Sequence, residues 1–458
     1  MSHLTRFLLI SSLMVTPAAA AAQGINQVVN ANLAPWLRGM VVAVERHDTT
    51  QFREAFGHRA EHPDSALSAN DMFPFPGLSE LFVGVMVGAL DSAGIVDEDA
   101  PLSTYLPSLS PEVGRATLRE LLTNTAGLDD ASRIEGESWK RTLDRINDKA
   151  LVVEPGTMYS SSRHSLPLAV RVLEKAVGQP FDAMVSTAIL KPLGMTSSTF
   201  SLARARAAGL VTGVARNNDA SAPARLVEPV DTVEGLPVLF TTTNDVLRFL
   251  SAWMDGAIRC PGPGQGPLVE LPGDAEWRYG AGANVGEYRG RQLVYLAGGG
   301  SDTGISAGFY VLPEFHSAVF IWSVGEWPAR VGNFTLGRVA DAAGAPAAKP
   351  APQPRSQRDG AAFPLPDPKE WAGTYRNGDR IIVLRDSGGA LVMFDGAHDL
   401  SLTAEGPNTI AAHIPDGRVA ARFDLLKDAK GRRFLYYGTH AYRRQDDGSA
   451  GQSGHPTG

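Results

Sequence analysis

The side chains that could do chemistry in this chain fall in three places. Ser79 and Glu80 open an apolar run over residues 81–90, Ser160, Ser161 and Ser162 stand directly before Arg163 and His164, and Ser306 sits in Gly304-Ile-Ser-Ala-Gly308. A serine beside a carboxylate or an imidazole suits acyl transfer, in which the hydroxyl attacks and its neighbour takes the proton. Each also has a plainer reading. Ser79 can pack or cap the helix that follows it, and consecutive residues on a forming helix point in different directions, so the serines before His164 suit capping and solvation. Gly-x-Ser-x-Gly needs a strand–turn–helix elbow, whereas residues 309–312 read as strand. His58 and His62 have the spacing of a helical metal pair, but Pro63 and polar neighbours indicate a loop and no third ligand is evident, so no metal or cofactor is expected. Cys260 is the only cysteine; it lies in Cys-Pro-Gly-Pro-Gly without an activating neighbour and has no partner for an internal disulfide.

These groups need elements to position them. Residues 81–90 are apolar or glycine on every side, the pattern of a helix enclosed by protein, and about ten apolar residues are too few to span a bilayer. Its start at Pro76-Gly77 would present unpaired N–H groups to an anion or a nucleophile. Residues 39–45 and 51–57 read as a β-hairpin. Residues 117–128 read as a short amphipathic helix stopping on Gly127, and residues 154–164 lead from a loop into a helix ending near Val177. A further helix runs from Phe181 to the Pro192-Leu-Gly-Met195 stop, another has a capped start near Thr242, and three strands follow at 291–297, 308–312 and 317–323. Strands at both ends with helices between them indicate one sheet completed by distant parts of the chain, an α+β domain.

At 458 residues the chain suggests two or three domains, and 43% hydrophobic with 20% charged residues is an ordinary globular composition. A net charge of −7 argues against nucleic acid or an anionic membrane as partner. A basic start, an apolar stretch over 7–15 and small residues up to Gln23 predict a signal peptide, 1–22, cleaved near Ala22. The mature protein would be periplasmic or secreted, without stable membrane insertion. Residues 23–341 form the predicted main domain and 342–366 an Ala/Pro-rich linker. Residues 367–444 carry regular short strands, the pattern of a small barrel or sandwich, and 445–458 form a polar, disordered tail.

Taken in order, Phe73 before the buried helix, Leu121-Leu-Thr-Asn-Thr-Ala-Gly-Leu128, Pro155-Gly156, Pro192-Leu-Gly-Met195, Thr242-Thr-Asn-Asp245 and Tyr279-Gly-Ala-Gly282 resemble the serine β-lactamase and D,D-peptidase-like (penicillin-binding) superfamily. The resemblance is to its class C, esterase and D-aminopeptidase-like branch and covers about residues 39–334. It implies a β-lactamase/transpeptidase-like α+β domain, here followed by a barrel-like all-β domain. It also implies three motifs: Ser-x-x-Lys at the buried helix, Tyr-x-Asn before the second helix, and Lys or His-x-Gly on an edge strand. In the family register these slots fall on Gly77 to Glu80, on Ser161 to Arg163 and on Gly298-Gly299-Gly300, and all are broken. No Ser-x-x-Lys, Lys-Thr-Gly or His-x-Gly occurs in the chain, and the one Tyr-x-Asn, Tyr375-Arg-Asn377, lies in the C-terminal domain.

Glycine cannot be acylated, and in another serine hydrolase loss of the nucleophile alone costs roughly 10⁶-fold in rate. The sequence therefore predicts a non-catalytic protein that binds a peptide, a cell-wall fragment or a protein partner through Gly77, Ser79, Glu80, Ser161, Arg163 and Gly298 to Gly300. Glu80 and Arg163 are expected to face each other across the former pocket, or else to cap the helix and meet solvent. The alternative is a hydrolase of esters, amides or β-lactams using Ser79 or Ser161 as a non-standard nucleophile.

Overall fold

The computed structural model describes residues 17–32, 37–60, 64–131, 138–149, 151–215, 224–233, 235–260, 266–272, 274–288, 290–300, 302–326, 337, 339–340 and 363–445. The signal-peptide stretch before Pro17, His62, residues 342–362 of the linker and the tail beyond Gln445 lie outside these.

A helix, α1 (Pro17–Asn32), leads to the hairpin β1 (Gly39–Arg46) and β2 (Thr49–Gly57). His47 and Asp48 turn the chain, both with positive φ as a two-residue hairpin turn requires. After β3 (Phe73–Pro74) comes α2 (Pro76–Ser92), then α3 (Pro111–Gly114), α4 (Leu118–Leu122), α5 (Trp139–Asp148), α6 (Ser165–Val177), α7 (Phe181–Val185) and α8 (Leu202–Ala207). Short pairs follow: β4 (Gly213–Ala215) with β5 (Arg225–Val227), β6 (Thr232–Val233) with β7 (Leu236–Pro237), and β8 (Phe240–Thr241) with β3. Helix α9 (Thr243–Met254) precedes β9 (Val269–Leu271), β10 (Asp274–Gly280), β11 (Ala283–Tyr288), β12 (Arg291–Gly300), β13 (Ile305–Leu312) and β14 (Ser317–Val324). The last six strands join the N-terminal hairpin in one antiparallel sheet ordered β2-β1-β14-β13-β12-β11-β10-β9. Distant parts of the chain do complete one sheet.

The main core lies between this sheet and the helices, and α2 is its centre. Pro76 suits the first helical turn because its missing N–H would have no partner there. Phe73 stacks on Trp322 at 4.4 Å, Phe75 lies 5.9 Å from Phe320, and Trp322 Nε1 donates to Thr243 Oγ1 at 3.1 Å, which fixes the entry of α2 against β14 and α9. The enclosed stretch ends before the helix does, since Gly88 and Ala89 reach solvent. On the other face of the sheet a second core gathers Ile25 and Val29 of α1 with Met40, Val42, Tyr295 and Ile321.

One sequence-predicted boundary moves. The helix expected to stop on Gly127 ends at Thr123, after a capping box in which Thr117 and Glu120 satisfy each other's backbone N–H groups. Asn124 then takes φ +53° and turns the chain ahead of Gly127.

The C-terminal region is a closed antiparallel barrel of β15 (Gly373–Asn377), β16 (Arg380–Ser387), β17 (Ala390–Phe394), β18 (Asp399–Ala404), β19 (Thr409–His413), β20 (Val419–Lys427), β21 (Arg433–Tyr437) and β22 (His440–Arg444). Pairing of Tyr375 with Arg444 closes it. Tyr375, Leu384, Leu391, Leu402, Ile410 and Phe423 fill the inside, so this is a packed core, as expected for eight strands. Among the described residues no helix is long and apolar enough to cross a membrane.

Candidate functional site

The first slot lies at the start of α2. A Cβ on Gly77 would come 3.1 Å from Gly298 Cα and 3.2 Å from Leu296 Cδ2, and a Cβ on Gly298 would come 2.7 Å from both Gly77 Cα and Gly77 N. Helix and strand therefore touch backbone to backbone where a nucleophile's side chain would stand. The sequence reading gave Gly77 and Gly298 to Gly300 as binding residues; at Gly77 and Gly298 each glycine occupies the room the other leaves. Gly282, at φ +88°, closes a second side, because a Cβ there would lie 2.9 Å from Leu81 N.

Ser79 faces away from this point. It is fully buried, and its Oγ accepts the Leu239 N–H at 2.9 Å, tying α2 to the segment between β7 and β8. It packs and hydrogen-bonds inside the main core. Glu80 is half-buried near Tyr159 and Tyr279, whose rings meet edge to face at 5.1 Å. Burial pushes both phenols well above their ordinary range, and the Glu80 carboxylate adds to this. Asn124, in its left-handed turn, lies in hydrogen-bond reach of both hydroxyls.

The second slot is the segment entering α6; Ser160, Ser162 and His164 are buried and Ser161 and Arg163 half-buried, against the expectation of solvation. Ser160 is 1% exposed, and its N–H donates to Asn124 O at 2.8 Å. Ser162 Oγ donates to Asp129 O at 2.6 Å and accepts the His164 N–H at 3.2 Å. His164 Nε2 lies 3.9 Å from Asp129 Oδ1, so this imidazole belongs with a carboxylate on the neighbouring loop. Burial pushes the Asp129 carboxyl up, and the nearby His164 offsets this in part. Arg163 meets Asp130, through its N–H at 3.0 Å and its Nε at 3.9 Å. The sequence reading set Arg163 opposite Glu80 or in solvent; the Arg163 contacts described here run to Asp130, on a loop the sequence reading did not single out.

What covers this slot is the C-terminal barrel. The turn between β21 and β22 lies on it: Ser161 N donates to Thr439 O at 2.8 Å, and Ala441 N donates to Ser160 Oγ at 3.1 Å. Asn377, at the end of β15, is fully buried here. Its Oδ1 accepts the Asp130 N–H at 2.7 Å, and its Nδ2 donates to Ala441 O at 2.8 Å and reaches toward Ser160 Oγ at 3.5 Å. Thus the asparagine of the chain's one Tyr-x-Asn does come to the second slot, from another domain. Tyr375 does not follow it; its hydroxyl donates to Trp371 O inside the barrel at 2.9 Å.

Charge and apolar contact hold the barrel in place. His440 Nε2 is 3.0 Å and Arg380 3.4 Å from Asp130 Oδ2. Burial would push the Asp130 carboxyl up, but the hydrogen bond and charge of His440, with the Arg163 N–H and guanidinium, outweigh it and hold the carboxyl below its usual range. Lys430 and Arg432 of the barrel both reach Glu154 at 3.2 Å, beside its 2.6 Å contact with Arg115. Val152, Val153, Tyr159 and Tyr279 pack with Phe434, Tyr436 and Ala441.

The third slot is not on an edge strand, since β12 lies inside the sheet. It behaves as an edge over part of its length: β11 pairs with β12 only from Arg291 to Tyr295, whereas β13 continues to Gly300. Among the described residues, 296–300 therefore carry a ladder on one side. Ala297 and Gly299 are exposed there.

The remaining candidates fall elsewhere. Ser306 stands near the start of β13 opposite Ser323, with no strand–turn–helix elbow. Cys260 is buried in the main core, and burial pushes its thiol up. His58 forms an isolated bridge with Ala66. Sequence reasoning missed Asn124, Asp129, Asp130 and His440. Asn124 had a signal, since it stands where the resembling family usually has histidine; His440 had none, because its partner is 310 positions away in a different domain.

Comparison with known proteins agrees with this geometry. The β-lactamase family profile matches residues 25–343. Esterase EstB of Burkholderia gladioli is 27% identical over 259 residues, covering 47% of this chain and 65% of the esterase, so the match spans just under two thirds of that relative's length. Among solved structures, SurE superposes with a TM-score of 0.73 at 19% identity, covering 93% of this chain and 99% of SurE. A class C β-lactamase superposes with a TM-score of 0.60 at 15% identity, covering 71% and 96%.

Proposed function

The chain belongs to the β-lactamase family, and on that basis we propose an exported protein without hydrolytic turnover that holds an extended peptide, such as a cell-wall peptide, against the free side of β12. Family members are typically serine hydrolases, so the proposal is a loss of chemistry with retention of the binding platform. The observation that carries it is the contact of Gly77 with Gly298, which takes the place of a nucleophile, next to a strand segment that, among the described residues, carries a ladder on one side. An extended peptide adds to such a segment through main-chain hydrogen bonds, and Gly298, Gly299 and Gly300 put no side chain in its way. Export is supported by the leader-like composition before Gln23; Ile25 and Val29, which anchor α1 in the second core, both lie beyond Ala22 and would survive cleavage.

The test uses the protein lacking residues 1–22. Fluorescent penicillin, a chromogenic cephalosporin and short p-nitrophenyl esters should give neither a covalent adduct nor turnover above buffer. A D-Ala-D-Ala-terminated peptide should shift the amide resonances of residues 297–300. D-leucine is a second probe, because one structure of SurE holds D-Leu. Covalent labelling abolished by Ser79→Ala or Ser161→Ala would overturn the non-catalytic reading, and peptide binding that leaves residues 297–300 unmoved would overturn the strand-addition reading.

A further inference from the structure

Far from the cleft in sequence, three turns bring together one imidazole and two carboxylates. Asp48 stands in the β1–β2 turn, Asp255 is the C-cap of α9, and His316 turns the chain into β14. His316 Nδ1 lies 3.8 Å from Asp48 Oδ1, and Nε2 lies 3.5 Å from Asp255 Oδ1. One ligand atom from each residue can be chosen so that all lie within 4.8 Å of one another. The His47 ring stacks on His316 at 6.2 Å with 6° between planes, which limits the turning of the imidazole.

We propose that Asp48, Asp255 and His316 bind one late first-row divalent cation, of which Zn²⁺ is the type, and so clamp three turns of the sheet and helix layers together. Tetrahedral Zn²⁺ holds its N and O ligands at about 2.0–2.2 Å, which puts them roughly 3.5 Å apart. One imidazole nitrogen binds the ion, so one carboxylate turns from the nitrogen it now faces toward the other; both aspartate side chains are exposed and can rotate. The imidazole selects Zn²⁺, Ni²⁺ or Cu²⁺ over Mg²⁺ and Ca²⁺, which prefer all-oxygen sites. A separate feature favours a cation here: the carbonyl end of the twelve-residue helix α9 terminates at Asp255, and a helix C-terminus carries partial negative charge. Just inside lies Glu45, 4% exposed and hydrogen-bonded to Ser251 of the same helix, a buried support for the ligand-bearing turn. Three protein ligands leave a fourth position for water.

Tag-free protein stripped of metal is titrated with ZnCl₂ and, separately, with CoCl₂ and MgCl₂. The expected result is one Zn²⁺ per chain by calorimetry, a rise in unfolding temperature, an intense visible band of four-coordinate Co²⁺, and no response to Mg²⁺. His316→Ala and Asp255→Asn should each weaken Zn²⁺ binding by about tenfold or more. Because Asp255→Asn preserves the shape of the helix end, it keeps the test valid if His316→Ala perturbs the turn. Absence of saturable binding up to about 1 mM Zn²⁺, or equal affinity in the parent and both variants, overturns the proposal.

Discussion

Replacing Asn377 by alanine should loosen the barrel from the cleft without unfolding either. The side chain is fully buried and satisfies the Asp130 N–H at 2.7 Å and the Ala441 carbonyl at 2.8 Å. Alanine strands both backbone groups, at about 1–3 kcal/mol each when no water replaces the partner. Partial relaxation of the β21–β22 turn brings the sum to about 2–4 kcal/mol, which at about 1.4 kcal/mol per decade is a shift of roughly 30- to 700-fold. The cost falls on docking because Tyr375, Leu384 and Phe423 still fill the barrel. The amide of Ser161, which donates to Thr439 O across the junction, is the reporter, and that of Phe423, in the barrel wall opposite Ile410, is the control. Hydrogen exchange should accelerate at Ser161 by that factor and stay unchanged at Phe423. If Ser161 exchanges within about threefold of the parent while the fold is intact, the Asn377 contacts do not hold the domains together and the reasoning fails.

Three further outcomes follow from the same contacts. Gly298→Ala places a Cβ 2.7 Å from Gly77 backbone atoms and should destabilise by about 1–3 kcal/mol or more, whereas Gly88→Ala, on an exposed helical turn with nothing within 4 Å, should stabilise by up to about 1 kcal/mol; thermal unfolding that ranks them otherwise refutes the close contact. Ser79→Ala should cost about 1–3 kcal/mol in denaturant unfolding by orphaning the buried Leu239 N–H, and a change in any residual ester hydrolysis instead of stability would speak for a catalytic Ser79. The Asp130 carboxyl is held below its usual range in the folded protein, so its stabilisation is complete above the unfolded value near about pH 4 and is lost as pH falls through the folded value. Asp129, raised by burial, acts with the opposite sign, its contribution being present in acid and lost as pH rises through its folded value. The Asp130 term is therefore read as the difference between the parent and Asp130→Asn. Ser161 amide protection should weaken below about pH 4 in the parent and lose that acid-dependent component in the variant.

By itself the sequence determined the framework. The all-round apolar run after Pro76, the amphipathic helix from Thr117, the capped start near Thr242, the hairpin after Gly39 and the evenly spaced β-runs after Trp371 are local patterns, and local patterns are set by side-chain periodicity and backbone preference. The vacancy of the first and third slots was equally legible, because a missing serine or lysine is visible without a fold. Only the tertiary structure decided what fills the vacancies. That Gly77 meets Gly298, that Ser79 turns to Leu239, and that Asn377 and His440 come to Ser160 and Asp130 depend on contacts between residues 160 to 310 positions apart. No periodicity encodes such pairings, because they are fixed by how the helix, the sheet and the barrel pack once each has formed.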